Sequence, residues 1–236
     1  MNRTDTKMQK STLYINNLRL KPYQIHKFRG FIGNLFADYD LIHNHDPVSG
    51  KNIYRYPLIQ FKLINGKPAL IAITDEAVKI FTEIFMRLDQ VVIDQESFPV
   101  YEKDLKIETV SFGYAEKMIG YAFESPWIAL NQANYKRYIR SGQKTERHKI
   151  LERALTGNIL SMAKYLDCWL EKTQRVKVRL NNVRERRVNL KGNTLFGFTG
   201  AFKTNFIIPD YLGLGKSVSR GFGTVRGMKS TKAYID

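Results

Sequence analysis

The sequence predicts an α+β protein made of two tandem ferredoxin-like (RRM-like) domains, each with the element order βαββαβ. Hydrophobic periodicity in the first half alternates between two and about 3.6 residues, in the order strand, helix, strand, strand, helix, strand. The second half contains a variant of the same plan, and 236 residues suffice for two small domains. We therefore expect an N-terminal domain at residues 1–115 and a C-terminal domain at residues 116–236.

The first half carries clear local signals for its strands and helices. Pro22 favours a helix start, since a missing N–H costs nothing there. Asn65-Gly66 predicts a hairpin turn, and Thr74 is expected to cap the second helix. The elements predicted are strands at 13–20, 56–64, 68–73 and from Val91, a helix with a buried stripe at Ile25, Phe28, Ile32 and Leu35, and a helix with a buried face at Ala77, Ile80, Phe81, Ile84, Phe85 and Leu88.

The second half is less regular. We predict a strand at the start of Met118–Leu130, a short basic helix over 131–140 and a long helix from Thr145 to about Leu170. Further strands are predicted at 175–180, 187–190 and in parts of 194–208.

The composition points to a polyanionic partner and excludes a disordered chain. Lys plus Arg number 38 against 22 Asp plus Glu, which gives a net charge of +16, and 43% of the residues are hydrophobic. A single cysteine, Cys168, allows no internal disulfide and fits a reducing compartment. No signal peptide or apolar run of about 20 residues is present, so we expect a cytoplasmic protein without a membrane partner.

A glycine-rich segment near the C-terminus has the spacing G-x-G-x5-G-x-G. Glycine permits positive φ and close approach of another backbone, and the cations and hydroxyls between the glycines suit phosphates. A Walker A loop is excluded because the required earlier glycine is Asp210. A glycine-rich hairpin without a ligand is the alternative. The residues expected to bind RNA are Gly213, Gly215, Lys216, Ser217, Ser219, Arg220, Gly221, Gly223 and Arg226.

This glycine pattern behind a βαββαβ start resembles the RAMP superfamily of CRISPR-associated proteins. The total length and the early histidines are similar to the CRISPR repeat-RNA endoribonucleases, the sixth Cas family. The stretch from His43 to Pro57, HNHDPVSGKNIYRYP, resembles one branch of that family. The resemblance implies cleavage of CRISPR repeat transcripts to release guide RNAs, without a metal or other cofactor.

His43 and His45 are the candidate acid–base pair for RNA cleavage. Separated by one residue, they share a side of an extended backbone, and histidine suits both proton roles because its ordinary pKa is about 6.5. Tyr54 and Lys51 follow closely and could donate to the developing phosphorane charge. The expected products carry a 2′,3′-cyclic phosphate or a 3′-phosphate and a 5′-OH. Two solvated loop histidines, or part of a metal site, are the alternatives.

A second basic surface is predicted where cations alternate with apolar residues. Arg175, Lys177 and Arg179 fall on one face of an extended segment, and Arg187 extends the charge. We expect this surface to bind an RNA stem or its flank. A solvated face is the alternative.

Two other functions remain open from the sequence. A non-catalytic RAMP subunit would only bind guide RNA within a CRISPR effector complex, and a general RNA-binding protein would act outside CRISPR systems. RNA is the partner in all three cases, and an effector complex is an additional partner in one.

Overall fold

The computed structural model of the protein describes residues 5–36, 55–190 and 192–228. The chain forms two compact units. The N-terminal unit contains Lys7–Ser111 together with Ser217–Phe222, and the C-terminal unit contains Phe112–Lys216 and the segment from Gly223 onward. None of the helices in the described ranges is long and apolar enough to cross a membrane.

The N-terminal unit has the predicted ferredoxin-like order. Its four-stranded sheet follows the order β2-β3-β1-β6, and a short β4–β5 hairpin precedes the last of these strands. The elements are β1 Asp5–Ile15, a 3-10 turn Pro22–Gln24, α1 Ile25–Leu35, β2 Ile59–Ile64, β3 Lys67–Ile73, α2 Asp75–Arg87, β4 Gln90–Ile93, β5 Glu96–Pro99 and β6 Lys103–Phe123.

The core of this unit confirms most of the predicted helix faces. Ile25, Phe28 and Ile32 are buried on α1, but Leu35 is 39% exposed and Phe36 is buried in its place. The three buried residues of α2 are Ala77, Phe81 and Ile84. The predicted stripes therefore place both helices against the sheet.

The two turn predictions had different outcomes. Asn65 and Gly66 both have positive φ, 52° and 76°, as a tight hairpin between β2 and β3 requires. The Thr74 cap prediction was wrong. Thr74 has a φ of 82° and makes no side-chain cap bond, and its backbone N–H donates to Gln9 O on β1.

The C-terminal unit repeats the same sheet order with one element replaced. The second part of β6 pairs with both β9 and β8, and β7 pairs with β8, which gives β9-β6-β8-β7. Residues 208–224, all of them described, contain no helix, so the glycine-rich segment stands where a second helix would come. The elements are α3 Gln132–Arg140, α4 Lys144–Tyr165, β7 Val178–Leu190, β8 Asn193–Ile207 and β9 Val225–Gly227.

Strand β7 is longer than predicted because a bulge joins two predicted strands. The register with β8 shifts between Asn181 and Arg184. Gly200 lies opposite with a φ of 132°, and a Cβ there would meet Asn182 O at 2.6 Å. The bulge thus depends on a glycine of the partner strand. Beyond the bulge, β7 continues to pair with β8 as far as Leu190.

Aromatic side chains form the core of the C-terminal unit. Trp127 is fully buried and stacks on Phe123 with ring centroids 5.3 Å apart. Its indole N–H donates to Asn158 Oδ1 on α4 at 2.9 Å. Tyr138 of α3 packs edge-on against Phe198 of β8. These contacts fix both helices and the loop before α3 against the sheet.

Candidate nucleic-acid interface

The predicted catalytic residues belong to the stretch between α1 and β2. His43, His45, Lys51 and Tyr54 all lie outside the described residues. Their roles therefore stay predictions.

The glycine-rich segment begins and ends in the C-terminal unit, where backbone bonds hold it. Leu214 N–H donates to Gly223 O at 2.9 Å, and Gly223 N–H donates to Pro126 O at 2.9 Å. A Cβ on Gly223, whose φ is 62°, would collide with Leu214 O. A Cβ on Gly215 would lie 2.7 Å from Ile128 O and from the Trp127 ring. The chain's own packing thus requires both glycines.

The middle of the segment, Ser217–Phe222, belongs to the N-terminal unit and is held by β2. Phe61 N–H donates to Ser219 O at 3.3 Å, and Val218 is 3% exposed. The Lys62 ammonium donates to Val218 O at 3.1 Å. Lys62 is fully buried, and burial lowers the pKa of its ammonium to about 7. A buried lysine therefore anchors the middle of the segment.

The charge of Arg220 in this segment acts on the guanidinium group of Arg29 on α1. Burial, and next the charge of Arg220, lower the pKa of Arg29 on α1, and burial lowers the pKa of Arg220 itself. Gly221 allows the segment to approach α1, since a Cβ there would lie 3.3 Å from the Ile25 side chain.

The exposed side chains of the segment are mainly cationic. Lys216 and Arg226 are exposed, whereas Ser217, Ser219 and Arg220 are half-buried. The structure divides the predicted set between the two units: Gly213, Gly215, Lys216, Gly223 and Arg226 lie in the C-terminal unit, and Ser217, Ser219, Arg220 and Gly221 in the N-terminal unit.

The basic surface on β7 has the predicted alternation, although its first part precedes the strand. Arg175, Lys177 and Arg179 are exposed, and β7 begins only at Val178. Asn205, 3% exposed, keeps the earlier residues extended: its side-chain oxygen accepts from Lys177 N–H at 2.6 Å, and its amide donates to Arg175 O at 3.0 Å. A buried amide on β8 therefore aligns the three cations.

Sequence reasoning missed a fourth cation on this surface, Lys203. It lies directly opposite Arg179 in the β7–β8 register, and both side chains are exposed. Residues directly opposite in antiparallel strands point to the same face. The signal in the sequence was the alternation on β8, where Lys203 stands between the buried Phe202 and Thr204. We call Arg175, Lys177, Arg179 and Lys203 the basic face.

Farther along β7, Arg187 lies opposite Phe196. Glu185, the acid of this basic strand, accepts a hydrogen bond from the Tyr138 hydroxyl at 2.5 Å. Burial and this hydrogen bond raise the pKa of Tyr138 above its ordinary value. The carboxylate of Glu185 is thus bound to α3.

In residues 5–36, 55–190 and 192–228, no three His, Cys, Asp or Glu side chains are arranged to hold a metal ion. The predicted alternative of a metal site at His43 and His45 lies outside these ranges.

Comparison with known proteins identifies relatives over the whole described chain. The sequence model of the Cas6b N-terminal domain matches residues 6–111, and that of the Cas6b C-terminal domain matches residues 113–228. An uncharacterized protein of Methanocaldococcus jannaschii, MJ0978, is 43% identical over 143 residues, which are 61% of this chain and 95% of that protein.

Solved structures agree with these matches. The crystal structure of a Cas6b protein has a TM-score of 0.87 at 33% identity, and a CRISPR RNA processing endoribonuclease, also Cas6b, has a TM-score of 0.76 at 32% identity. Both alignments cover 94% of this chain and 100% of the other. A type IV Cas6 crRNA endonuclease, Csf5, shares the fold with a TM-score of 0.61 at 12% identity. The expected resemblance to the sixth Cas family is confirmed, and the chain belongs to its Cas6b branch.

Proposed function

We propose that this protein is a metal-independent endoribonuclease that cleaves CRISPR repeat RNA to release guide RNAs. The observation that carries the proposal is the similarity, along almost the entire chain, to a solved Cas6b described as a CRISPR RNA processing endoribonuclease. The high positive charge and the two sets of exposed cations support RNA as the substrate.

The proposed reaction needs a base, an acid and a donor to the transferring phosphate. The base removes the proton from a 2′-OH, whose oxygen attacks the adjacent phosphorus. The acid protonates the departing 5′ oxygen, which leaves a 2′,3′-cyclic phosphate and a 5′-OH. We assign the two proton roles to His43 and His45, and stabilisation of the phosphorane charge to Lys51 and Tyr54.

RNA binding is assigned to the glycine-rich segment and to the basic face. In the N-terminal unit, Ser217, Ser219 and Arg220 of the segment contact the RNA backbone. In the C-terminal unit, the basic face and Arg187 contact the backbone of a stem or its flank. The glycines place the segment's backbone, and its cations supply the charge.

The assignment is tested by replacing both histidines with alanine. The double variant His43→Ala/His45→Ala should bind repeat RNA with nearly unchanged affinity. It should lose cleavage, because the cleavage step loses both proton-transfer groups. The matched control is His148→Ala, which removes a histidine of α4 whose Nε2 lies 3.4 Å from Glu152 Oε1. Full cleavage by the double variant would refute the catalytic assignment.

The second candidate function is a non-catalytic subunit that binds guide RNA in an effector complex. It would use the same cationic surfaces. Tight binding of repeat RNA without any cleavage by the wild-type protein would favour it.

A further inference from the structure

A cavity of about 260 Å³ opens in the C-terminal unit between the start of α3 and the start of β8. One wall is an aromatic pair: Tyr135 of α3 and Phe196 of β8 have ring centroids 5.8 Å apart and an interplanar angle of 28°. Tyr135 is 42% exposed, so part of its ring is open to an incoming group. Gln132, also exposed, offers an amide at the same opening.

The glycine-rich segment supplies a cation to this cavity. Gly215 lies so close to Trp127 and Ile128 that no side chain fits. The next residue, Lys216, donates its backbone N–H to Ile128 O at 3.1 Å, and its exposed side chain lines the cavity. The first pair of glycines in the motif therefore places Lys216 at the rim.

Arg187 adds a second cation on the same side of the β7–β8 hairpin. It is exposed and directly opposite Phe196 in the register, so both side chains point to the face that packs on α3. The sequence between Glu124 and Glu146, which includes all of α3, contains no acidic residue. The cavity thus combines an open aromatic wall, an amide and the Lys216 cation, and Arg187 lies beside the lining, opposite Phe196.

We propose that this cavity binds one unpaired nucleobase of the RNA, stacked on Tyr135, with Lys216 and Arg187 contacting the phosphates beside it. The inference rests on the proposed function and adds a specific subsite to it. A flat aromatic ring next to cations is an arrangement that binds single-stranded nucleic acid. The π-face of any base can stack on the ring, and the phosphates of its backbone can contact the cations. A base within a stem is already stacked and paired, so an unpaired base is the one that can enter.

The test couples a change in the protein to a change in the RNA. Affinity for the repeat RNA is measured with each unpaired nucleotide replaced in turn by an abasic one. For the wild-type protein, one position should weaken binding by about 5- to 100-fold, as for loss of a stacked base. Tyr135→Leu keeps an apolar side chain without the ring, so in this variant the same abasic substitution should lower the affinity only slightly. The matched variant Tyr135→Phe keeps the ring and should behave as the wild type does.

The outcomes separate this inference from the proposed function. One outcome is that the wild type cleaves repeat RNA while every abasic substitution lowers the affinity of Tyr135→Leu as much as that of the wild type. In that case the nucleobase subsite is refuted and the endoribonuclease assignment stands. If wild type neither binds nor cleaves repeat RNA, the proposed function fails and the subsite fails with it. Coupling confined to one unpaired position supports both.

Discussion

Lys62 is a lysine with an unusual environment, because its whole side chain lies in the interior of the protein. Its side chain is completely buried, its ammonium donates to the carbonyl of Val218, and burial lowers its pKa to about 7. A lysine in such a place costs stability while charged, yet it ties the glycine-rich segment to β2. Near pH 7, protonation of the Lys62 side chain therefore changes the free energy of unfolding.

The pH dependence of unfolding should show this. Folded Lys62 releases its proton near pH 7, and the unfolded chain near pH 10.5, so between these values the unfolded state binds more protons and stability rises with pH. From pH 7 to 9, the free energy of unfolding of wild type should gain about 2 kcal/mol relative to Lys62→Met, measured by urea denaturation. The control Lys79→Met removes an exposed lysine of α2. Parallel pH profiles for wild type and Lys62→Met would contradict the account.

The glycines show how far a residue pattern can be interpreted from sequence. Their spacing predicted positive φ and close approach of another backbone, with RNA as the expected neighbour, and Gly215 and Gly223 do need to be glycine. The close neighbours are Trp127, Ile128 and Leu214 of the same chain. The local pattern does not specify packing partners so distant in sequence. The motif therefore predicted where glycine is needed but not which residues pack against it.

At the scale of single elements, local signals decided which predictions succeeded. The Asn65-Gly66 turn and the start of α3, where Asn131 accepts from Asn134 N–H at 2.8 Å, depend on neighbouring residues and could be predicted. Strand β7 could not, because its bulge needs Gly200 on the facing strand. Lys203 was missed for the same reason: its place beside Arg179 depends on the register of two strands.

The β7–β8 pair carries the like charges of Arg179 and Lys203 directly opposite each other, which is destabilising. The substitution Lys203→Glu replaces this repulsion with an opposite-charge pair, so it should raise the free energy of unfolding by about 0.2–1 kcal/mol and weaken RNA binding. It should also reduce the salt dependence of binding by about one phosphate contact. Affinity is measured by titration at several salt concentrations, and stability by urea denaturation.

The control for this prediction makes the same charge change elsewhere. Lys79→Glu alters an exposed lysine on α2, outside the basic face. If both variants weaken RNA binding equally, overall charge and not the basic face governs affinity.

At the scale of the whole chain, both units use the same sheet order, and the sequence was sufficient to predict this fold class. The difference between them was not predictable: residues 208–224 replace a second helix, and Ser217–Phe222 belong to the N-terminal unit. The glycine-rich segment is about 170 residues from His43 and His45 in sequence, and part of it nevertheless joins the unit that contains α1. Contacts between segments so distant in the sequence could not be predicted from local patterns.

The central claim is cleavage of repeat RNA by attack of the RNA's own 2′-OH. The most direct measurement incubates the wild-type protein with repeat RNA in excess EDTA, beside an RNA with a single 2′-deoxy nucleotide at the scissile position. The account predicts that the first RNA is cut once per repeat, leaving a 5′-OH, and that the second stays intact while still bound. Cleavage of the 2′-deoxy RNA at that position, or loss of cleavage in EDTA, would contradict it.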